Sequence, residues 1–516
     1  MYQLKNTTMY KSLWLLLCVS LLISLLKGYA FSSVAQGVKS EAVAVDNYFT
    51  AEQARLLNPY LDTSSNTQLL FGLMQALADN QQEVRDGALD VIRKILADNP
   101  DLVKDIIVMA QADADDRNRN EQVRVEILRI LNSIADLESL KSDLVNRDKL
   151  FNIVLQDAQD TSIAVTNEVV SVLTTINKSN PEYVQKSFSA ILRSTKSEDY
   201  VTCSSALSTL RFFLRAEPTY AEQVFQVAIA AMKDQQPLVR WNALAALATV
   251  VKSNPSYTQG TLEITLKAAN EGDVSVSTMA LRLLNVLVKL DDQYPAQTLD
   301  TATQATESQS TEVVIEALKL VATITDSDAN CAPTAFEVGN KAIQQSDEQV
   351  RWNGLLVLLS VVKAANTAYA QKVFEIAVKA TTDQFALIRQ DALVVIQTIA
   401  EKNPPYAKRA IETATPFTQD EQDHVRIAAI SVIESALKAN PQLIENVYKT
   451  AVNIVKDKST EVRRQVWNLL KSILKIDSKY VQQKEFRGMI REASLDSDAT
   501  IRKTTHDLLV EYLLKA

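Results

Sequence analysis

A hydrophobic stripe with helical spacing returns at a nearly constant interval along most of the chain. Its first residue, the anchor of each repeat, recurs every 37 to 42 residues, at Val84, Val123, Val165, Thr202, Val239, Val276, Val313, Val350, Ile388, Val425, Val462 and Ile501. Leu, Ile or Val stands eight residues after every anchor, and a small or apolar residue usually stands four after it. Residues with this spacing share one face of a helix. The stripe predicts one amphipathic helix, helix B, in each of twelve repeats.

A second helix, helix A, is predicted between successive B helices. Five Asn-Pro pairs each begin fifteen residues after an anchor, with Pro sixteen after it, where helix B should end: Asn99-Pro100, Asn180-Pro181, Asn254-Pro255, Asn403-Pro404 and Asn440-Pro441. Asn is a favourable N-cap and Pro a favourable first helical residue. Two helices in about 37 residues cannot bury their apolar faces alone, so neighbouring pairs must stack. An all-α stack of about twelve helix pairs is therefore expected over residues 66–516.

Composition and charge exclude several classes of function. The 516 residues include only 9 Gly and 12 Pro, too few for an all-β fold or for a glycine-rich phosphate loop. The formal net charge of −8 disfavours nucleic acid as a partner, because phosphate backbones are bound by Lys and Arg. Two His are present, and no common nucleotide-binding, zinc-protease or hydrolase motif occurs. We therefore expect no catalytic, cofactor-binding or metal-binding residues and no enzymatic activity.

The N-terminal segment, residues 1–35, has the pattern of a secretory signal. Its apolar run, residues 13–26, rises only about 21 Å as a helix, short of the ~30 Å hydrocarbon core of a bilayer. Small residues permit cleavage after Ala30 or Ala35, and the second site fits better. Cleavage is favoured, with an uncleaved membrane anchor as the alternative. The protein is thus expected to be exported, periplasmic or extracellular, or to contact membrane through this segment alone, with residues 36–65 as a mature extension and cap.

Charged residues recur beside the stripe in a second register. An Asp commonly stands five residues before the anchor, and an Arg follows the anchor in eight of twelve repeats; the best pairs are Asp234 with Arg240, Asp383 with Arg389, Asp420 with Arg426 and Asp457 with Arg463. This arrangement resembles the HEAT repeat of armadillo-like α-solenoids. The resemblance implies a right-handed α-α superhelix and a hydrogen-bonding ladder of these residues between repeats. Repeats anchored at 165, 202, 276 and 313 lack the Arg, so a break and local flexibility are expected there.

Two Val-Arg-Trp-Asn sequences, three repeats apart, are the candidate binding residues: Trp241 with Asn242, and Trp352 with Asn353. Both Trp lie off the buried stripe, whereas Trp467 lies on it and is expected in the core. One interpretation is packing between adjacent repeats. The other is an aromatic platform on the concave surface, with the two Asn hydrogen-bonded to an extended partner segment.

The function that the resemblance implies is protein binding. HEAT proteins are mostly scaffolds, transport receptors or adaptors, so a non-enzymatic scaffold that binds protein partners along its concave surface is the first hypothesis. The identity of the partner does not follow from the sequence. The alternative hypothesis is an accessory subunit of an enzyme, such as a lyase or a chaperone-type HEAT protein.

Overall fold

The computed structural model describes most of the repeat region, and every regular element in that part is helical. The described residues are 70, 72–74, 76, 77, 79, 81–115, 120–137, 140, 143–158, 162–179, 182–291 and 293–512. The predicted leader and extension lie outside them. No helix within these ranges combines the length and the apolar content needed to cross a bilayer. The chain divides between Ile153 and Val154 into two compact units.

The first unit contains the helices of the first repeats. They are α1 Gln82–Asp98, α2 Val103–Ala114, α3 Glu121–Ala135 and the start of α4 Leu144–Asp157, which continues into the second unit. Helices α1 and α3 carry the anchors Val84 and Val123 and are B helices. In this unit the Glu126 side chain is fully buried, and its Oε1 lies 3.7 Å from Nε of Arg85. This ion pair joins the consecutive B helices α1 and α3.

The second unit continues the same alternation. Its helices are, in chain order, α5 Ile163–Ser179, α6 Glu182–Ser194, α7 Tyr200–Ala216, α8 Ala221–Ala231, α9 Pro237–Ser253, α10 Thr258–Ala269, α11 Val274–Leu287, α12 Tyr294–Ala305, α13 Thr311–Ser327, α14 Ala332–Ala342, α15 Glu348–Ala380, α16 Ala386–Lys402, α17 Ala407–Ala414, α18 Asp423–Ala439, α19 Ile444–Ile454, α20 Thr460–Ile476, α21 Lys484–Ala493 and α22 Ala499–Tyr512. Helix α15 contains one B helix and the next A helix, separated at Ala365, whose φ of −134° and ψ of 50° are not helical.

The predicted periodicity is confirmed. All twelve anchors lie in B helices, and ten of them are buried; Val84 and Thr202 are half-buried. The residue eight positions later is buried in every repeat except the last, where Leu509 is half-buried. Within each unit, burial of one stripe per helix against neighbouring pairs provides the core that the spacing requires.

The Asn-Pro pairs begin the A segment differently from the prediction. Proline opens a single 3₁₀ turn, for example Pro255–Tyr257, and the α-helix starts three residues later at Thr258. Asn254 Oδ1 accepts a hydrogen bond from the Ser256 amide at 3.1 Å, so it caps this turn. A tight turn of this kind changes the chain direction over few residues before the α-helix begins. Asn180-Pro181 lies outside the described residues.

Aromatic contacts join successive A segments. In each of five such contacts, a ring near the start of one A segment packs on a ring of the preceding A helix, with ring centroids 4.2 to 5.2 Å apart. The five pairs are Phe188–Tyr220, Phe225–Tyr257, Phe336–Tyr369, Phe374–Tyr406 and Tyr448–Tyr480. Offset or tilted aromatic pairs contribute about 0.5–1.5 kcal/mol beyond their buried area. These pairs therefore help to fix the register of the A helices.

Candidate functional site

The Arg that follows the anchor contacts two repeats at once. Nη1 of Arg389 donates to the carbonyl oxygens of Asp383 and Gln384, at 3.0 and 3.1 Å, in the turn that precedes its own B helix. Its Nε and Nη2 donate to the carboxylate of Asp420, in the next repeat, at 2.9 and 2.8 Å. The same link joins Arg351 to Asp383, Arg426 to Asp457 and Arg463 to Asp496, with closest distances of 2.7 or 2.8 Å. Each Arg therefore pairs with the Asp of the following repeat.

The Asp of each link has a second contact that holds its turn. Oδ1 of Asp420 also accepts from the amide of Gln422 at 2.9 Å. Burial acts to raise the pKa of Asp420, but the hydrogen bonds from Arg389 and Gln422 outweigh it, and the pKa lies below its usual value. The hydrogen bond to Asp420 likewise raises the pKa of Arg389. Both side chains are thus charged at neutral pH.

Within the first predicted pair, Arg240 contacts Asp234 only at its backbone carbonyl and not at its carboxylate. Arg240 Nη1 donates to the Asp234 carbonyl at 2.8 Å, and its side chain forms an ion pair with Glu271, which occupies the Asp position of the next repeat. Cys203 stands in the preceding repeat where an Arg would reach Asp234. Burial, and then the charge of Asp234, raises the pKa of Cys203. At this step of the ladder, a neutral Cys203 thiol therefore stands where an Arg would pair with the Asp234 carboxylate.

Two consecutive repeats lack the link altogether. In the repeats anchored at 276 and 313, Ser277 and Val314 stand where the Arg would follow the anchor. In the repeat after each of these, Ser308 and Gln345 stand where the Asp partner would be. A cleft of about 300 Å³ lies at the second of these steps, and both Val314 and Gln345 line it. The predicted break therefore has two parts, the repeats anchored at 165 and 202, where Thr166 and Cys203 stand in place of the Arg, and the repeats anchored at 276 and 313.

The two candidate Asn are buried, which corrects the role predicted for them. Asn242 is 7% exposed, and its Nδ2 donates to Ser204 Oγ in the preceding B helix at 2.7 Å. Asn353 is 1% exposed, and its Nδ2 donates to the Gln349 carbonyl at 2.8 Å. Because both side chains are buried and both Nδ2 groups already donate within the chain, neither is placed to hydrogen-bond an extended partner segment.

The two candidate Trp are half-buried, so part of each ring reaches the surface. Trp352 Nε1 donates to the Asp391 carboxylate of the next B helix at 2.6 Å. Trp352 thus packs between repeats and also contributes surface, which combines the two interpretations of this residue. Trp467 is 1% exposed, and its predicted place in the core is confirmed.

The surface around these Trp is a stripe that runs along each B helix, at two, six, nine and thirteen residues after the anchor. We call the set of these stripes the B face. In α9 these positions are Trp241, Ala245, Ala248 and Lys252, of which Ala245 is buried, and in α15 they are Trp352, Leu356, Leu359 and Lys363. Leu356 and Leu359 are both half-buried. The sequence analysis did not single out these Leu, although their spacing from Trp352 marks the same helical face.

Comparison with known proteins identifies a family and a fold. The family described as "Adaptin N terminal region" matches residues 182–486, more than half of the chain. A comparison with curated protein sequences finds no significant match.

Solved structures of karyopherins share the fold. Kap95p in a structure with RanGDP has a TM-score of 0.60 at 11% identity, over 87% of this chain and 66% of that one. Yeast importin-β (Kap95p) has a TM-score of 0.55 at 13% identity, over 90% and 69%. Kap121p bound to Nup53p has a TM-score of 0.54 at 15% identity, over 89% and 54%. This chain therefore spans about half to two thirds of these proteins, and the likeness is one of fold.

Proposed function

The chain belongs to the adaptin N-terminal region family, and from that premise we propose that it is a non-enzymatic scaffold or adaptor that binds other proteins through the B face. The observation that carries the proposal is the stripe of Trp352, Leu356 and Leu359, three large apolar side chains on one helix that are only half-buried. Clustered apolar side chains on a surface are typical of interaction sites. Aromatic residues among them often supply a large share of binding energy.

Neighbours with the same fold support a protein partner. Kap95p is described in a complex with Nup1, and Kap121p bound to Nup53p. In HEAT proteins the B helices usually lie on the concave side, and this supports the choice of the B face as the docking surface. The alternative, an accessory enzyme subunit, stays a prediction.

A pair of matched variants tests the proposal once a partner has been purified from the native cell and identified. Leu359→Glu places a charge on the B face, and Gln259→Glu places the same charge on the exposed surface of helix α10, an A helix. With purified components, we expect the first variant to weaken binding by about ten-fold or more and the second by less than about two-fold. Thermal melts of both variants check that they remain folded. Equal binding by both variants and the unmodified protein would refute the B face as the docking surface.

Export or membrane anchoring through residues 1–35 is also proposed, from their signal-like pattern. N-terminal sequencing of the protein from its native cell tests it. A chain that begins at residue 36 supports cleavage after Ala35, and an intact N-terminus in the membrane fraction supports the anchor. An intact N-terminus in a soluble cytosolic fraction contradicts both.

A further inference from the structure

Two guanidinium groups flank one aromatic ring near the C-terminal end of helix α7. Arg211 lies 4.6 Å and Arg215 5.1 Å from the centroid of the Phe212 ring. Arg211 and Arg215 stand nine and thirteen residues after the anchor Thr202, so both belong to the B face. Two like charges are therefore held close together on the proposed docking surface.

No carboxylate among the described residues serves as a counterion for this pair of charges. Within the described part of the chain, neither guanidinium has a carboxylate oxygen within 4.0 Å, and Arg211 Nε is buried without a hydrogen-bond partner. Burial, and then the neighbouring charge of Arg215, lowers the pKa of Arg211. A buried, unpaired donor beside a second positive charge is costly unless an anion binds there.

The neighbouring B helices extend the positive charge on one side. Position thirteen after the anchor is an exposed Lys in the helices before and after α7, Lys178 and Lys252, and again in the repeat after those, Lys289. Of these side chains and Arg215, none forms an ion pair among the described residues. Stacked B helices are about 8–10 Å apart, so four positive charges form a row across four repeats.

Apolar surface lies next to this row. On helix α9, Ala248 is half-buried and lies between Lys252 and the half-buried Trp241 ring, which is about 16 Å from Lys252 along the helix axis; Ala245, between Ala248 and Trp241, is buried. A ligand that crosses these helices thus meets positive charge on one flank and an apolar, aromatic surface on the other.

We infer that the B face of the repeats anchored at 165 to 276 binds an acidic protein segment that also carries large apolar side chains. Its carboxylates pair with Arg211 and Arg215, and an apolar side chain packs over Ala248 against Trp241. This inference rests on the proposed function and specifies the chemistry of the partner. Charge complementarity favours it, because an acidic segment supplies the carboxylates that this part of the chain lacks.

The stabilisation of helix ends by positive charge does not account for the cluster. Cations in the last helical turn interact favourably with the helix dipole, and this explains the positions of Arg215 and Lys252. Arg211 lies one turn earlier, in the helix body, where that effect has fallen off. Stacking on the Phe212 ring accounts for the position of the Arg211 guanidinium but does not balance its charge, and a carboxylate of the partner segment would do so.

A labelled peptide provides the test on the full chain. The probe repeats Glu-Glu-Leu, carries fluorescein, and is long enough to cross three repeats; a second probe has Lys in place of Glu. The variant is Arg211→Gln with Arg215→Gln. Its matched control is Lys471→Gln with Lys475→Gln, which removes two charges at the same two positions of helix α20.

Fluorescence anisotropy should show the acidic probe binding more tightly than the basic one. Arg211→Gln with Arg215→Gln should weaken binding of the acidic probe about ten-fold or more, whereas the Lys control should weaken it less than about two-fold. Trp241→Ala should also weaken binding of this probe. Equal loss in the Arg variant and the Lys control indicates unspecific attraction and overturns the inference, as does equal binding of the two probes.

The two proposals fail in different ways. If the purified natural partner is released by Leu359→Glu but binds the Arg variant normally, the scaffold function stands and the acidic segment is excluded. If neither variant affects that partner, the B face is not its docking surface and both proposals fall.

Discussion

Replacing Arg389 with Met removes one complete link between repeats while keeping the length of the side chain. The variant loses two charge-assisted hydrogen bonds to Asp420, whose side chain is 9% exposed against 16% for Arg389. It also loses two hydrogen bonds to the carbonyls of its own turn. Hydrogen bonds to charged groups contribute about 1.5–3 kcal/mol each, and a carboxylate left buried without its partner adds a penalty. We expect a loss of about 3–4 kcal/mol in local stability.

The chain supplies a matched control for this variant. Arg502 donates to the Asp496 and Ser497 carbonyls at 2.7 and 2.9 Å, as Arg389 does to its own turn, but has no following Asp among the described residues. Arg502→Met therefore measures the turn contacts alone. A double-mutant cycle of Arg389→Met with Asp420→Asn isolates the inter-repeat pair, for which we expect a coupling of about 1–3 kcal/mol.

Hydrogen exchange is the appropriate measurement, because long repeat arrays often do not unfold in one step. The free energy of opening should fall in helices α16 and α18, which the Arg389 link joins, and remain unchanged in distant repeats. If the Arg389 and Arg502 variants lose equal opening free energy, or the coupling is below about 0.5 kcal/mol, the link does not stabilise the stack and its structural role is refuted.

Three further predictions concern the same repeats. Gly354→Ala should lower the stability of its repeat by about 1–3 kcal/mol in thermal melts. The added Cβ would lie 2.9 Å from a neighbouring Ala Cβ and 3.0 Å from a backbone nitrogen. An unchanged melting temperature contradicts this close approach of the two helices. Val314→Arg with Gln345→Asp should install the missing link and slow hydrogen exchange on both sides of the cleft by about five-fold, whereas either single variant should not. Asp420→Asn should destabilise the protein fully above about pH 4, and in thermal melts at lower pH this destabilisation should vanish. The reason is that the pKa of Asp420 is depressed in the folded state, and protonation at low pH removes the charge that the variant lacks. A destabilisation that does not change with pH excludes the charge as its cause.

The helical repeat was predictable because its cause is local. A stripe on one helix face and a fixed interval between stripes are both visible in the chain, and burial of the anchors follows from them. The 3₁₀ turn at Pro255–Tyr257 was not predicted, since a capping Asn followed by Pro is compatible with an α-helix or a 3₁₀ turn. Which Asp each Arg contacts also depends on how repeats stack, and stacking is not encoded in the spacing within one repeat.

The candidate site was less predictable for the same reason. Asn242 stands one residue after Trp241, so a helical wheel places both off the buried stripe. The preceding B helix covers one flank of that surface, and Ser204 Oγ accepts the Asn242 amide there. A single helix does not reveal which of its flanks faces a neighbour. The Leu356 and Leu359 pair was visible in the sequence, but its exposure depends on the packing of the adjacent repeats.

Variation at a constant position is therefore the most informative signal for function in such a chain. The anchor and the residue eight after it are nearly uniform, because every repeat needs the same core. Two residues after the anchor, by contrast, the chain has Ser204, Trp241, Thr278, Ile315 and Trp352 in five consecutive repeats. Part of this variation serves stacking, since Ser204 accepts a hydrogen bond from Asn242 and Trp352 donates one to Asp391. The exposed part of each Trp ring is not explained by these contacts, and under the proposed function we expect the partner to contact the repeats that carry Trp.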